Sequence, residues 1–138
     1  MKKGFAAGGV IALLIAGVAG CSQPESRSEA SASVTIDGKD QGKTQDVRCN
    51  QLQSSWFVEI RQVASSASAI VDVEGDKATV QTVEIRGFGG FTGSYWPGGE
   101  PANATFMNRT FTISGTASGV QTGSPIPGPV TFKIVARC

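Results

Sequence analysis

The chain has 138 residues, with 12 Lys and Arg against 11 Asp and Glu, no His, and 40% hydrophobic residues. That length is enough for one domain with its own core, and the near-neutral charge excludes the basic field of a nucleic-acid-binding protein. The missing histidine removes every His-based catalytic triad, the usual general base at neutral pH and most catalytic zinc sites.

Lys2 and Lys3 form a basic start, and Gly4 to Val18 is an uncharged run of about fifteen small or apolar residues. A membrane-spanning helix needs roughly 20, and no stop-transfer charges follow, which is the pattern of a cleaved signal peptide. Val18-Ala19-Gly20-Cys21 then sets an aliphatic residue and two small ones before a cysteine. A lipoprotein peptidase requires Cys at that place, because the thiol is alkylated with diacylglycerol before the cut. The plainer alternative is an ordinary secretory leader with a chance Cys. The lipobox reading predicts loss of residues 1–20 and a lipid on Cys21. It places the protein on the extracytoplasmic face of the cell membrane, anchored by covalent lipid and not spanning it. Each buried methylene contributes about 0.8 kcal/mol, so two acyl chains hold where one is marginal. Loss of Lys2 and Lys3 leaves ten basic against eleven acidic side chains, a net charge of −1.

Ser22 to Ser33 (SQPESRSEASAS) holds five Ser and one Pro and no large apolar residue. Residues 21–33 therefore read as a lipidated tether with a reach of about 20 Å. Such stalks carry O-linked sugars in some bacteria; the spacer reading is the simpler one. The domain proper runs from Val34 to Cys138.

Within it the apolar residues recur with a period of two, as in half-buried strands. Val34-Thr35-Ile36 enters a turn at Asp37-Gly38-Lys39-Asp40. Trp56, Val58 and Ile60 alternate with Phe57, Glu59 and Arg61. Val71 and Val73 alternate with Asp72 and Glu74 before a turn at Gly75-Asp76. Between Lys77 and Arg86 the apolar set changes phase, from Ala78 and Val80 to Val83 and Ile85, which predicts a bulge near Gln81-Thr82. Asn108-Arg109 reads as a two-residue hairpin between Thr105-Phe106-Met107 and Thr110-Phe111-Thr112-Ile113. Val130, Phe132, Ile134 and Ala136 make the last alternating strand. Seven or eight short strands predict an all-β antiparallel sandwich or partly closed barrel. One rival is helical: Ile60, Val63, Ala64, Ala67 and Val71 fit a 3.6 period, weakened by Ser65, Ser66 and Ser68.

Few residues suggest chemistry, and no cofactor, metal or catalytic residue is expected. Asp72, Glu74 and Asp76 would share a strand face and could hold calcium, but carboxylates running into a turn are more often a solvated face. The run Gly87-Phe88-Gly89-Gly90-Phe91-Thr92-Gly93 lacks the Gly-Lys-Ser/Thr of a phosphate loop. Asn103-Ala104-Thr105 and Asn108-Arg109-Thr110 match the N-glycosylation pattern, most simply by coincidence. Three Cys is an odd number, but lipidation uses Cys21 and leaves Cys49 and Cys138 to form a disulfide in an oxidising compartment; the rival is a reactive free Cys138. Phe88, Phe91, Tyr95 and Trp96 gather four of the ten aromatic residues among glycines. They read either as a recognition loop or as a long hairpin whose rings fold back onto the core.

The chain resembles the mycobacterial LpqH-type (19 kDa) lipoprotein antigen family. The resemblance rests on the lipobox with its Ser-rich tether, on Val34 to Gln41 followed by Val47-Arg48-Cys49, on Phe111 to Val120, and on Phe132 to Cys138. It departs from the family pattern over residues 51–104. The resemblance implies a non-catalytic cell-envelope lipoprotein that is antigenic and acts in surface display, with an acylated N-terminus sensed by host innate receptors. The alternative expectation is a small lipid- or glycolipid-binding carrier, which would need a large apolar cavity.

Overall fold

The computed structural model describes residues 30–138, so the expected signal peptide, the lipobox residues Val18, Ala19 and Gly20, the expected lipidation site Cys21 and most of the expected tether lie outside the described residues. Ten strands follow: β1 (Ser31–Ile36), β2 (Lys39–Thr44), β3 (Val47–Leu52), β4 (Ser55–Gln62), β5 (Ser65–Glu74), β6 (Lys77–Phe88), β7 (Phe91–Tyr95), β8 (Asn103–Met107), β9 (Thr110–Gln121) and β10 (Gly128–Arg137). Among the described residues there is no helix.

Every strand pair is antiparallel, in the order β2-β1-β10-β9-β7-β6-β5-β4-β3, with β8 bridging β6 and β9. Strands β6, β7, β9 and β8 therefore close a four-strand ring, the partly closed barrel expected from the sequence. The two ends of the strand order, β2 and β3, are consecutive in the chain. Only Gln45 and Asp46 separate them, a span of about 10 Å, which is the ordinary distance between packed sheet faces. The sheet must fold over until its edges meet. The Thr44 hydroxyl donates to the Arg61 carbonyl at 2.8 Å and the Arg61 amide donates to the Asp46 carbonyl at 3.0 Å, fixing that corner.

The interior is built by alternation. Ala32, Val34 and Ile36 of β1, Phe132, Ile134 and Ala136 of β10, and Phe111, Ile113 and Ala117 of β9 meet Val58 and Ile60 of β4, Ala67, Ala69 and Val71 of β5, and Val80, Val83 and Ile85 of β6. Phe106 stacks on Phe111 at the edge of this core, and Trp56 meets Phe106 at a tilt and Phe111 edge-on, with ring centroids 4.2–5.5 Å apart.

Several sequence expectations meet their outcome here. Ile70 pairs with Thr82 but Val71 with Val80, so Gln81 is the extra residue of a bulge. A second bulge at Gly87, with φ 77°, restores Phe88 to the inner face after Ile85. Asn108 and Arg109 both have positive φ and join Met107 to its partner Thr110, the mirror-image turn that suits strand twist. The helical rival over Ile60 to Val71 is not formed. Those residues make the β4–β5 hairpin, with Val63 fully exposed at its tip and Ala67, Ala69 and Val71 buried in steps of two. The count rises from seven or eight strands to ten because edge strands β2 and β3 have no fully buried residue and the short β7 is interrupted by Gly93. The tether expected to end at Ser33 gives its last three residues to β1, where Ala32 is buried against the core and Ser31 pairs with Arg137.

Candidate functional site

Cys49 and Cys138 are bonded to each other, with Cα atoms 5.9 Å apart and a sequence separation of 89. The bond joins β3, at one end of the strand order, to the residue that follows β10, near the other. It is a clasp across the two layers. The Cys138 amide donates to the Arg109 carbonyl at 2.8 Å, and the Arg109 guanidinium donates to the Cys138 carbonyl at 3.3 Å. The chain end is thereby held.

The four rings singled out in the sequence divide. Phe88, Phe91 and Tyr95 are 1%, 0% and 7% exposed and belong to the core, whereas Trp96 is 65% exposed. The first three face inward because β6 and β7 pair across the Gly89-Gly90 turn, which puts Phe88 opposite Phe91 and Tyr95 opposite Val83. Phe88 and Phe91 are closed to any partner, Tyr95 keeps its ring in the core while bordering the groove beside it, and Trp96 is the one of the four left on the surface.

Trp96 borders a groove of about 630 Å³, inside the range of about 300–1,000 Å³ usual for ligand sites. The floor is the outer face of β10, β9 and β7. Thr131 pairs with Thr116, Pro129 with Ser118, and Ser118 again with Ser94, so hydroxyls form two rows across three strands. The wall is the β7–β8 connection, residues 96–102. Its end is pinned where the Ala102 amide donates to the Tyr95 hydroxyl at 3.2 Å, and its middle where the Thr116 hydroxyl donates to Glu100 Oε2 at 3.4 Å. Gly115 makes room for this: a Cβ there would sit 2.9 Å from Ala102 Cβ, too close for any side chain. On the opposite rim Asp37, in the β1–β2 turn, donates its amide to the Thr131 carbonyl at 2.9 Å. Asp37 and Glu100 are the charged residues of the lining, and no Lys or Arg joins them.

Sequence reasoning found Trp96 and missed Asp37, Ser94, Glu100, Thr116, Ser118 and Thr131. These come from separate strands and turns, and no local pattern marks them; only the strand order brings them together. The carboxylates considered for calcium do not converge. Asp72 accepts from the Ser54 hydroxyl at 2.5 Å, and among the described residues no three Asp, Glu or Cys group to hold a metal ion. The interior where a carrier would hold an acyl chain is occupied by side chains, with Phe88, Phe91, Phe111, Ile60, Ile85, Ile113 and Ile134 among the fully buried.

A family model described as the Mycobacterium 19 kDa lipoprotein antigen matches residues 25–138. A lipoprotein of Mycobacterium indicus pranii is 40% identical over 139 aligned residues, covering 99% of each chain. Lipoprotein LppE of Mycobacterium tuberculosis is 35% identical over 94% of each chain. Lipoprotein LpqH of the same species is 31% identical, over 100% of this chain and 99% of its own.

Proposed function

The chain belongs to the Mycobacterium 19 kDa lipoprotein antigen family, and on that premise we propose that it is a non-catalytic envelope lipoprotein displayed through a lipid on Cys21. The observation that carries this reading is the disulfide. The sequence has three cysteines, and the bond between Cys49 and Cys138 leaves Cys21, the residue that follows Val18-Ala19-Gly20, as the one available for the anchor. After cleavage the acylated Cys21 begins the mature chain and is the part that host innate receptors would sense.

The fold gives display a direction. The described chain enters β1 at Ser31, which pairs with Arg137, and leaves β1 at Ile36, which pairs with Phe132. From Arg137 to Thr131 is six strand steps, or about 20 Å at the usual rise. The groove beside Thr131 is therefore at the far end of β1 and β10 from Ser31. A tether shortened to residues 22–30 would add about 15–18 Å of reach.

Metabolic labelling of cells with a palmitate analogue tests the anchor. The wild-type protein takes up label and sediments with membranes, and Cys21→Ala does neither. Equal labelling of the two proteins would overturn the reading.

A further inference from the structure

We propose that the groove between Trp96 and Asp37 is a carbohydrate-binding site for an uncharged sugar chain, with Trp96 as the stacking platform and the hydroxyl rows and two carboxylates as the hydrogen-bonding floor and rim. This goes beyond the reading of an anchored antigen and stands on the groove alone.

The chemistry of the lining selects the ligand class. A pyranose or furanose ring presents an apolar C–H face and a rim of hydroxyls. Trp96 offers an exposed indole, which supplies rigid apolar area at low entropy cost. Asp37 and Glu100 are acceptors, and a carboxylate accepts from a neutral O–H with a shorter and stronger bond than an uncharged acceptor does. Ser94, Thr116, Ser118 and Thr131 can each donate and accept, which suits a ligand whose every hydroxyl does both.

Other classes fit less well. Anionic ligands, such as phosphate headgroups or acidic sugars, meet two carboxylates and no Lys or Arg in the lining. An acyl chain would desolvate four hydroxyls without giving them partners, which is costly. A peptide that binds by strand addition needs a free sheet edge, but here β9 is already paired to β10 on one side and β7 on the other. A sugar needs no backbone partner.

The position of the groove agrees. It opens at the end of β1 and β10 remote from the chain's entry at Ser31, so a polysaccharide could lie across it without meeting the tether.

The chain has two tryptophans, so its NMR spectrum contains two indole N–H signals. Trp56 is packed against Phe106 and Phe111 and is absent from the groove, which makes it an internal control. The acylated native protein is prepared in a sugar-free zwitterionic detergent and titrated with neutral hexasaccharides of glucose, mannose, galactose and arabinose. The proposal expects at least one of them to shift the Trp96 signal saturably and leave Trp56 in place. Trp96→Ala should weaken binding about tenfold or more, as loss of a central aromatic anchor does. Glu100→Gln should weaken it less, and both variants should melt with the wild type. Were Trp96→Ala to unfold, Ser118→Tyr, which fills the floor from an exposed position, must abolish binding in its place. No shift with any sugar overturns the proposal, as do equal shifts of both indoles or a Trp96 shift given only by fatty-acid vesicles, by phosphatidylinositol vesicles or by an unstructured peptide.

Discussion

Tyr95 and Trp96 are neighbours in the chain and opposites in the fold. Tyr95 ends β7 with its ring in the core and its hydroxyl holding the Ala102 amide. Trp96 starts the connection to β8 with its ring in solvent, above a floor of hydroxyls. The same contrast separates two regions: the β6–β7 hairpin, whose Phe88, Phe91 and Tyr95 belong to the core, and residues 96–102, which bring Glu100 to Thr116 on the outer face of β9 and Ala102 to Gly115 on its inner face. The difference teaches that aromatic density in a sequence does not identify a binding surface. A strand sends alternate side chains to opposite faces, so a run of rings spaced along β6 and β7 is divided by the pleat, and the one ring past the strand end is the one free to meet a ligand.

The sharpest way to break this comparison is at Phe91. Its ring is fully buried, so Phe91→Ala should cost about 3–5 kcal/mol, the transfer and cavity cost of a core aromatic. Urea denaturation measures it. A cost near that of an exposed substitution, within about 0.5 kcal/mol, would show that the hairpin rings are not core in solution.

The clasp between Cys49 and Cys138 sharpens the same comparison from the other end of the domain. For a loop of 89 positions the chain-entropy model gives about 4.6 kcal/mol, and measured values are more often about 2–4. The double variant Cys49→Ala, Cys138→Ala should lose about 2–4 kcal/mol of global stability. The bond ties β3 to the end of β10 and touches no groove residue, so sugar titration of the still-folded variant should give the wild-type affinity. A loss of affinity in a folded population would couple the two regions and defeat the separation.

How much of this was legible in the sequence follows from the reach of each signal. Local periodicity placed β4, β5, β6, β9 and β10, because each alternates around a buried row. It even located the bulge at Gln81, where the phase slips from Val80 to Val83. Cysteine counting named the disulfide pair, because the lipid expected on Cys21 leaves two of three. What stayed hidden is non-local. Edge strand β2 buries no face, and β3 offers only the half-buried pair Val47 and Cys49, too short an alternation to detect. Strand β7 passed for loop because Gly93 interrupts its inward row between Phe91 and Tyr95. The groove was out of reach for the same reason: Asp37, Thr116 and Thr131 are brought together by the closure of the sheet, and each is unremarkable in its own segment.

The smallest expected effect is the most specific to the boundary between the two regions. Tyr95→Phe keeps the buried ring and deletes the hydroxyl that accepts from the Ala102 amide. Ala102 is half-buried, so its amide can turn to water, and the net loss should be about 1 kcal/mol, the ordinary net worth of one hydrogen bond. That loss should be local. Residues 96–102 remain tied through Glu100 to Thr116, but the end of the wall loses its pin. Hydrogen exchange should therefore quicken at the Ala102 amide while the Val83 amide, deep in β6, keeps its protection. The hydroxyl also fixes the wall that carries Trp96, and Tyr95 itself borders the groove, so sugar affinity should fall in the variant. Unchanged exchange at Ala102 would mean that the loop is held by its seat on Gly115 and not by Tyr95. A loss of several kcal/mol would place the hydroxyl in the core's own network, and the line drawn between Tyr95 and Trp96 would have to move.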